Sequence, residues 1–137
     1  MALRFLLDTS VIKRLGQPAV RKVVEPLAGA GELGRATISD LEVGYSARNA
    51  TEWDQLVGAL AAFSPVETTA AHVRRALAVQ RLLAARGRRG RKIPDLLIAA
   101  AAEELAIGVL HYDADFDIIA AVTGQRCRWV APAGRLE

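Results

Sequence analysis

The stretch FLLDTSV at residues 5–11 is a short apolar run followed by an acidic residue and two hydroxyl residues. This pattern predicts a buried strand over residues 4–7 that ends at Asp8, with a short helix starting after Thr9 or Ser10. Similar apolar runs recur along the chain and predict further strands at residues 35–38, 64–68, 109–112 and 127–130.

Segments with helical spacing separate these strands. They predict helices at residues 18–28, 39–48, 51–63, 69–86, 94–106 and 116–122. An alternation of strands and helices is typical of parallel strands with helices on both faces. We therefore expect an α/β fold, a three-layer α/β/α domain with a central, mainly parallel sheet of four to five strands. At 137 residues the chain has the length of a single domain, residues 1–137.

The composition excludes several classes of protein. The longest apolar run, residues 96–102, is seven residues long and precedes Glu103, so it is too short to span a membrane. Cys127 is the only cysteine, which rules out an internal disulfide and a Cys/His zinc cluster and suits a cytoplasmic protein. Eighteen Lys and Arg against fifteen Asp and Glu give a net charge of +3, which is compatible with an anionic partner.

Acidic residues recur where predicted strands end or predicted helices begin. Asp8 follows the first strand, and Asp113 follows the strand at residues 109–112. Glu42 lies in the first turn of the helix after the second strand, and Asp95 lies at the start of an otherwise apolar helix. Because the carboxyl ends of parallel strands meet at one edge of a sheet, we expect these four acids to share a pocket.

Several carboxylates in one pocket raise each other's pKa unless a cation neutralises them. Oxygen ligands without histidine or cysteine favour Mg²⁺ or Mn²⁺ over zinc. Such an ion activates water and offsets charge on a phosphodiester, so hydrolysis of a nucleic-acid backbone is the chemistry that this pattern indicates.

Each acid also has a structural interpretation. Asp8 is suited to cap a helix, and Glu42 fits a capping box with Ser39. Asp95 would complement a helix dipole, and the acids at residues 113–117 would suit a solvated turn. The coincidence of four such positions at the same ends of strands and helices favours the metal site.

The segments at residues 5–11, 38–44, 92–100 and 111–117 resemble, in order and spacing, the PIN-domain ribonucleases, and most closely the VapC-type toxins of bacterial toxin–antitoxin modules. The resemblance implies a PIN-like fold in which Asp8 and Asp95 are the most direct metal ligands. It implies that Glu42 and Asp113 complete the acidic pocket and that Asp115 assists them.

The same resemblance implies further properties. Thr9 or Ser10 would position water, and the protein would cut RNA endonucleolytically with Mg²⁺ or Mn²⁺. A VapB-type antitoxin would silence it by placing a basic side chain in the pocket, and the chain would form a homodimer. This sequence departs from the family pattern at His111 and Tyr112, where many members carry threonine or another small polar residue.

A basic segment lies directly before the Asp95 helix. Residues 86–92 contain five cations, which are Arg86, Arg88, Arg89, Arg91 and Lys92. We interpret this segment as binding RNA phosphates, with an ordinary solvated loop as the alternative.

The histidines and tryptophans receive structural interpretations. His72 is predicted at the surface of a helix, and His111 in a strand where neighbours satisfy it. Trp53 and Trp129 are expected in the core or at an interface, with base stacking as the alternative.

The sequence therefore predicts a Mg²⁺- or Mn²⁺-dependent endoribonuclease toxin that cleaves RNA phosphodiesters with metal-activated water. Two alternatives stay open. One is a Mg²⁺-dependent phosphatase that uses a phosphoaspartyl intermediate, although Asp8 is followed by Thr9 and Ser10 and not by the Asp-x-Asp pair of such enzymes. The other is a non-catalytic PIN-like module that binds RNA or protein.

Overall fold

The computed structural model describes residues 2–88 and 90–136. Its centre is a five-stranded sheet in which every pair of neighbours is parallel and the order is β3-β2-β1-β4-β5. The strands are β1 (Phe5–Leu7), β2 (Leu33–Ala36), β3 (Ser64–Val66), β4 (Gly108–His111) and β5 (Cys127–Trp129).

Helices connect the strands and cover both faces of the sheet. They are α1 (Thr9–Ile12), α2 (Pro18–Gly29), α3 (Thr37–Tyr45), α4 (Ala50–Gly58), α5 (Ala70–Ala85), α6 (Ile93–Glu104) and α7 (Asp115–Thr123). A short 3₁₀ turn, Ala59–Ala62, follows α4.

Alternating side chains of the central strands build one hydrophobic core on each face. Leu6 and Val109 point to the face covered by α5, α6 and α7, whereas Leu7 and Leu110 point to the face covered by α1, α2 and α3. Two helical layers thus enclose the sheet. The predicted three-layer α/β/α fold is confirmed.

Helix α6 lies deepest among the helices. Every residue from Asp95 to Ala102 is buried, and four of them are consecutive alanines at residues 99–102. Small side chains let this helix pack closely against α5 and β4. Pro94 stands in its first turn, where a missing N–H costs nothing.

The boundary between β2 and α3 differs from the prediction. The strand ends at Ala36 and the helix begins at Thr37, two residues before the predicted start at Ser39. Ser39 is fully buried inside the helix, so it forms no capping box with Glu42. Instead, the hydroxyl of Thr68 accepts a hydrogen bond from the Ile38 N–H at 3.1 Å. A side chain 30 positions away in the sequence therefore accepts one of the backbone N–H groups that have no partner within the first turn of the helix.

The prediction that His72 lies at the surface is wrong. His72 is 2% exposed, and its Nδ1 accepts a hydrogen bond from the Thr69 N–H. Its Nε2 lies 2.7 Å from a carboxylate oxygen of Glu104 on α6. The imidazole thereby links the start of α5 to the end of α6, which explains its burial.

None of the helices in the described residues is long and apolar enough to cross a membrane.

Candidate metal centre

The strand order places two acids side by side at the carboxyl edge of the sheet. From β1 the chain passes to β2 on one side, and β4 lies on the other side, so the connections diverge between β1 and β4. Ligand sites in open parallel sheets occur at this kind of divergence. Asp8 directly follows β1, and Asp113 follows β4 after one intervening residue.

Asp8 both caps a helix and contributes to the pocket. One of its oxygens, Oδ2, accepts a hydrogen bond from the Ser10 N–H at 2.9 Å at the start of α1. The hydroxyl of Ser10 in turn accepts the Tyr112 N–H at 2.8 Å, which ties α1 to the turn after β4. The other Asp8 oxygen, Oδ1, is buried without a hydrogen-bond partner among the described residues. The capping and metal-ligand interpretations of Asp8 are therefore compatible.

Glu42 reaches the pocket from α3. The Thr9 hydroxyl donates a hydrogen bond of 2.7 Å to Glu42 Oε1. Helix α3 is anchored by Arg35, which pairs with Asp40 and also donates to the carbonyls of Leu60 and Phe63. These contacts fix the helix that presents Glu42.

Asp95 is the third residue of α6 and is 3% exposed, as is Asp8. Its Oδ2 is buried and has no hydrogen-bond partner within residues 2–88 and 90–136. A buried carboxylate oxygen without a donor is costly, so this atom points to a missing positive partner.

Three acids come within ligating distance of one another. Asp95, Asp113 and Asp115 each offer an oxygen, and these atoms all lie within 4.8 Å of one another. Asp8 and Glu42 line the same small pocket, of about 100 Å³, with Asp95 and Asp113. The structure thus brings together the acids that the sequence singled out.

Two cations from the loop before α6 hold the acids of the β4–α7 turn. Lys92 Nζ donates to Asp113 Oδ2 at 2.8 Å, and Arg91 Nη1 donates to Asp115 Oδ1 at 2.6 Å. The other oxygen of Asp113 accepts the Asp115 N–H at 2.9 Å.

The electrostatics of the pocket follow from burial and like charge. Burial, and then the charge of Asp8, raise the pKa of Asp95 to about 8. Burial likewise raises the pKa values of Asp8 and Glu42. Burial also acts to raise the pKa of Asp113, but the hydrogen bond from Lys92 and other contacts bring it below its usual value.

The pocket fits a hard divalent cation. Its donors are carboxylate oxygens, and two of the carboxyl groups carry buried oxygens without partners in the described residues. Such a donor set suits Mg²⁺ or Mn²⁺. A bound divalent ion would stabilise the ionised form of Asp95 against the burial and the like charge that raise its pKa.

The basic segment is only partly directed toward solvent. Arg91 and Lys92 pair with pocket acids, whereas Arg86 and Arg88 line a separate open groove with Asp117 on α7. Arg89 lies outside the described residues.

Two residues at the site had no functional role in the sequence-based prediction. Lys13 lines the acidic pocket and acts on Glu42 through its charge, but a lone lysine just after a short helix gives no signal in a sequence. His111 is fully buried, and its Nδ1 accepts the Asp113 N–H at 3.2 Å. Burial lowers the pKa of His111 to about 4, so it is neutral at pH 7.

The tryptophans differ in their surroundings. Trp129 is half-buried, packs near His111, and donates from Nε1 to the carboxylate of Asp117. Trp53 is 47% exposed, and its indole packs against Gly44.

Comparison with known proteins gives the family. The family model described as PIN domain matches residues 5–122. Ribonuclease VapC51 of Mycobacterium tuberculosis is 69% identical over 137 residues, which cover 100% of both chains. Ribonuclease VapC21 of the same organism is 44% identical over 98% of this chain and 99% of the relative.

A solved structure shares the fold. The crystal structure of VapBC2 from Rickettsia felis, bound to a DNA fragment from their promoter, matches with a TM-score of 0.77 at 17% identity. The match covers 94% of this chain and 98% of that chain. The chain belongs to the PIN-domain family, and within it to the group of the VapC ribonucleases. The resemblance seen in the sequence is confirmed.

The burial of Asp95 predicts a pH-dependent stability when divalent ions are chelated. The folded state raises the pKa of this carboxyl from 3.8 to about 8, so it keeps a proton that the unfolded chain releases. The free energy of unfolding therefore falls as the pH rises through this range, and Asp95→Asn removes that part of the fall. Above pH 8 in EDTA, we expect Asp95→Asn to be more stable than wild type by on the order of 2 kcal/mol in urea unfolding.

The control is Asp54→Asn, which changes an exposed acid on α4 and should leave the pH profile unchanged. If Asp95→Asn were less stable than wild type above pH 8, burial of the ionised Asp95 carboxyl would not be destabilising.

Proposed function

We propose that this protein is a divalent-metal-dependent endoribonuclease toxin of a toxin–antitoxin module, acting in the cytoplasm as a single domain over residues 1–137. The observation that carries the proposal is the pair of buried carboxyl groups, Asp8 and Asp95, each with an oxygen that lacks a partner in the described residues. They meet other acids at the edge of a sheet in a chain of the PIN-domain family.

The acids have distinct roles in this proposal. Asp8 and Asp95 are the most direct metal ligands, because they are the most buried of these acids and each has an oxygen without a partner among residues 2–88 and 90–136. Glu42 and Asp113 complete the pocket, and Asp115 assists from the start of α7. A Mg²⁺ or Mn²⁺ ion bound there would supply the charge that activates water and offsets negative charge on the phosphodiester.

The hydroxyl residues act by positioning. Thr9 holds the Glu42 carboxylate, and Ser10 holds the backbone of Tyr112 beside Asp113. Both hydroxyls lie on the pocket wall, where Thr9 or Ser10 also orients water next to Asp8. The protein thus contributes oxygen atoms in set positions and a pocket with little room for bulk water.

The phosphatase alternative receives less support from the geometry. A phosphoaspartyl enzyme needs a carboxylate open to the phosphoester, whereas Asp8 is 3% exposed and one of its oxygens caps α1. A non-catalytic module would not need two buried acids that lack partners in the described residues.

The acids are tested by isosteric replacement. Asp8→Asn and Asp95→Asn each remove one charged ligand, so we expect cleavage of single-stranded RNA to fall at least about a hundredfold. Circular dichroism should show that both variants stay folded. EDTA should abolish wild-type activity, and Mn²⁺ or Mg²⁺ should restore it.

Asp54→Asn, which changes an exposed acid on α4, is the matched control and should cleave RNA like wild type. Full activity in purified Asp8→Asn or Asp95→Asn would refute the proposed site. Turnover of small phosphoesters without RNA cleavage would favour the phosphatase.

The basic segment provides a path for the substrate. We propose that Arg86 and Arg88, which line the open groove beside α7, bind RNA phosphates outside the pocket, and that Arg89 contributes to the same segment. Arg91 and Lys92 lie nearer the acids and would contact the phosphates closest to the cleaved bond. Arginine forks and lysine ammonium groups are suited to this task.

The path predicts a salt-dependent loss of RNA affinity. Replacing Arg86 and Arg88 together by glutamine should raise KM severalfold and reduce the slope of log KM against log salt by about 2, with little change in kcat. The control replaces Arg21 and Lys22 by glutamine. These two exposed cations belong to α2, which packs on the other face of the sheet from α7. An equal effect in both double variants would mean that no specific path exists.

The proposed partner is a VapB-type antitoxin. An apolar groove of about 470 Å³ adjoins the acidic pocket and shares Thr9, Lys13 and Glu42 with it. Leu56, Leu60 and other apolar residues line this groove. A partner segment with apolar side chains followed by a basic side chain would fill the groove and reach the acids.

We also propose a homodimer. Val73, Leu77 and Ile93 border a second apolar groove between α5 and α6, and they are 46%, 59% and 66% exposed. In the part of the chain that the structure describes, the residues that line this groove carry no charge, so two copies can meet there without repulsion between like charges.

Size-exclusion chromatography with light scattering tests the dimer. Wild type should have twice the mass of one chain, and Leu77→Glu should have the mass of one chain because a charge enters the apolar contact. Leu105→Glu alters an exposed leucine at the end of α6 outside the groove and should stay dimeric. A wild-type protein with the mass of one chain would contradict the proposal.

A further inference from the structure

We infer that Lys92, supported by Arg91, is the internal counter-ion of the acidic pocket, and that it competes with the divalent ion for Asp113 and then turns to the substrate. This inference rests on the proposed function, because it takes the pocket as a metal site. It adds a role that the acids do not have: the chain carries its own cation for the site.

The contacts of Asp113 carry the first step. Lys92 Nζ lies 2.8 Å from Oδ2, and the Asp115 N–H donates to Oδ1 at 2.9 Å. Both oxygens of the carboxylate are therefore engaged by donors. A divalent ion that takes Asp113 as a ligand meets an ammonium group already placed there, and the two positive charges repel each other.

The neighbouring pair strengthens this arrangement. Arg91 binds Asp115 at 2.6 Å, and both partners are only about one-fifth exposed, at 22% and 21%. The backbone of residues 91 and 92 is thereby held next to the turn that follows β4. Because α6 begins at the next residue, the same contacts set the distance between Asp95 and the acids of α7.

Lys92 can leave the carboxylate more easily than Arg91. Its side chain is 61% exposed and ends in a single ammonium group on a flexible stem, whereas the Arg91 guanidinium is largely covered. A divalent ion in the pocket would displace the ammonium group toward solvent at the pocket mouth. There Lys92 would be placed to bind the phosphodiester, so metal entry and phosphate binding would use the same lysine in succession.

Calorimetric titration of Mn²⁺ into the full chain measures the competition. Because an exposed ion pair is weak, we expect Lys92→Gln to tighten Mn²⁺ binding roughly two- to fivefold. Lys13→Gln is the matched control, since it removes a lysine from the same pocket that acts on Glu42 through charge. It should change Mn²⁺ affinity less. Lys92→Arg keeps a cation and should bind Mn²⁺ like wild type.

Steady-state cleavage of RNA provides the second readout. Lys92→Gln should raise KM while its Mn²⁺ affinity rises, which a merely structural role would not produce. Unchanged or weaker Mn²⁺ binding in Lys92→Gln overturns the inference, as does equal tightening in Lys13→Gln. If wild type and Asp95→Asn both give no Mn²⁺ heat, the proposed metal site itself fails, which is a different result.

Discussion

The carboxyl groups of Asp8 and Asp95 lie almost out of contact with water, and the charge of Asp8 disfavours ionisation of Asp95. The fold brings them together because β1 ends, and α6 begins, at the same edge of the sheet. Two hydrophobic cores hold that geometry from opposite faces. Lys92 offsets part of the energetic cost of confining these acids, and a bound divalent ion would offset more of it, so binding and stability are coupled at this pocket.

The positive side chains of the basic segment divide into two groups by what they contact. Arg91 and Lys92 neutralise the acids of the β4–α7 turn, whereas Arg86 and Arg88 line a separate open groove. The members of a cation-rich segment therefore need not act as one unit. In the proposed function, Arg91 and Lys92 pair with acids of the protein before they meet the substrate, whereas Arg86 and Arg88 meet it from the groove.

Much of the fold and the acidic site could be predicted from the sequence. Short apolar runs that end on acids are local signals, and parallel strands then bring those acids together. Contacts between distant segments gave no such signal. Thr68 accepts a backbone hydrogen bond from the start of α3, and Glu104 provides the carboxylate that pairs with the buried His72. The pairing of Lys92 with Asp113 was missed for the same reason, since it spans 21 positions.

The strand β4 is an interior strand that pairs with the central strand β1, although the two are far apart along the chain. A nascent polypeptide still attached to the ribosome has released Asp8 long before it releases Asp113. The hydrogen bond from Tyr112 to Ser10, across 102 positions, closes only after this late strand has inserted. Hence a half-made chain holds no assembled acidic pocket, and the pocket forms only once synthesis is nearly complete.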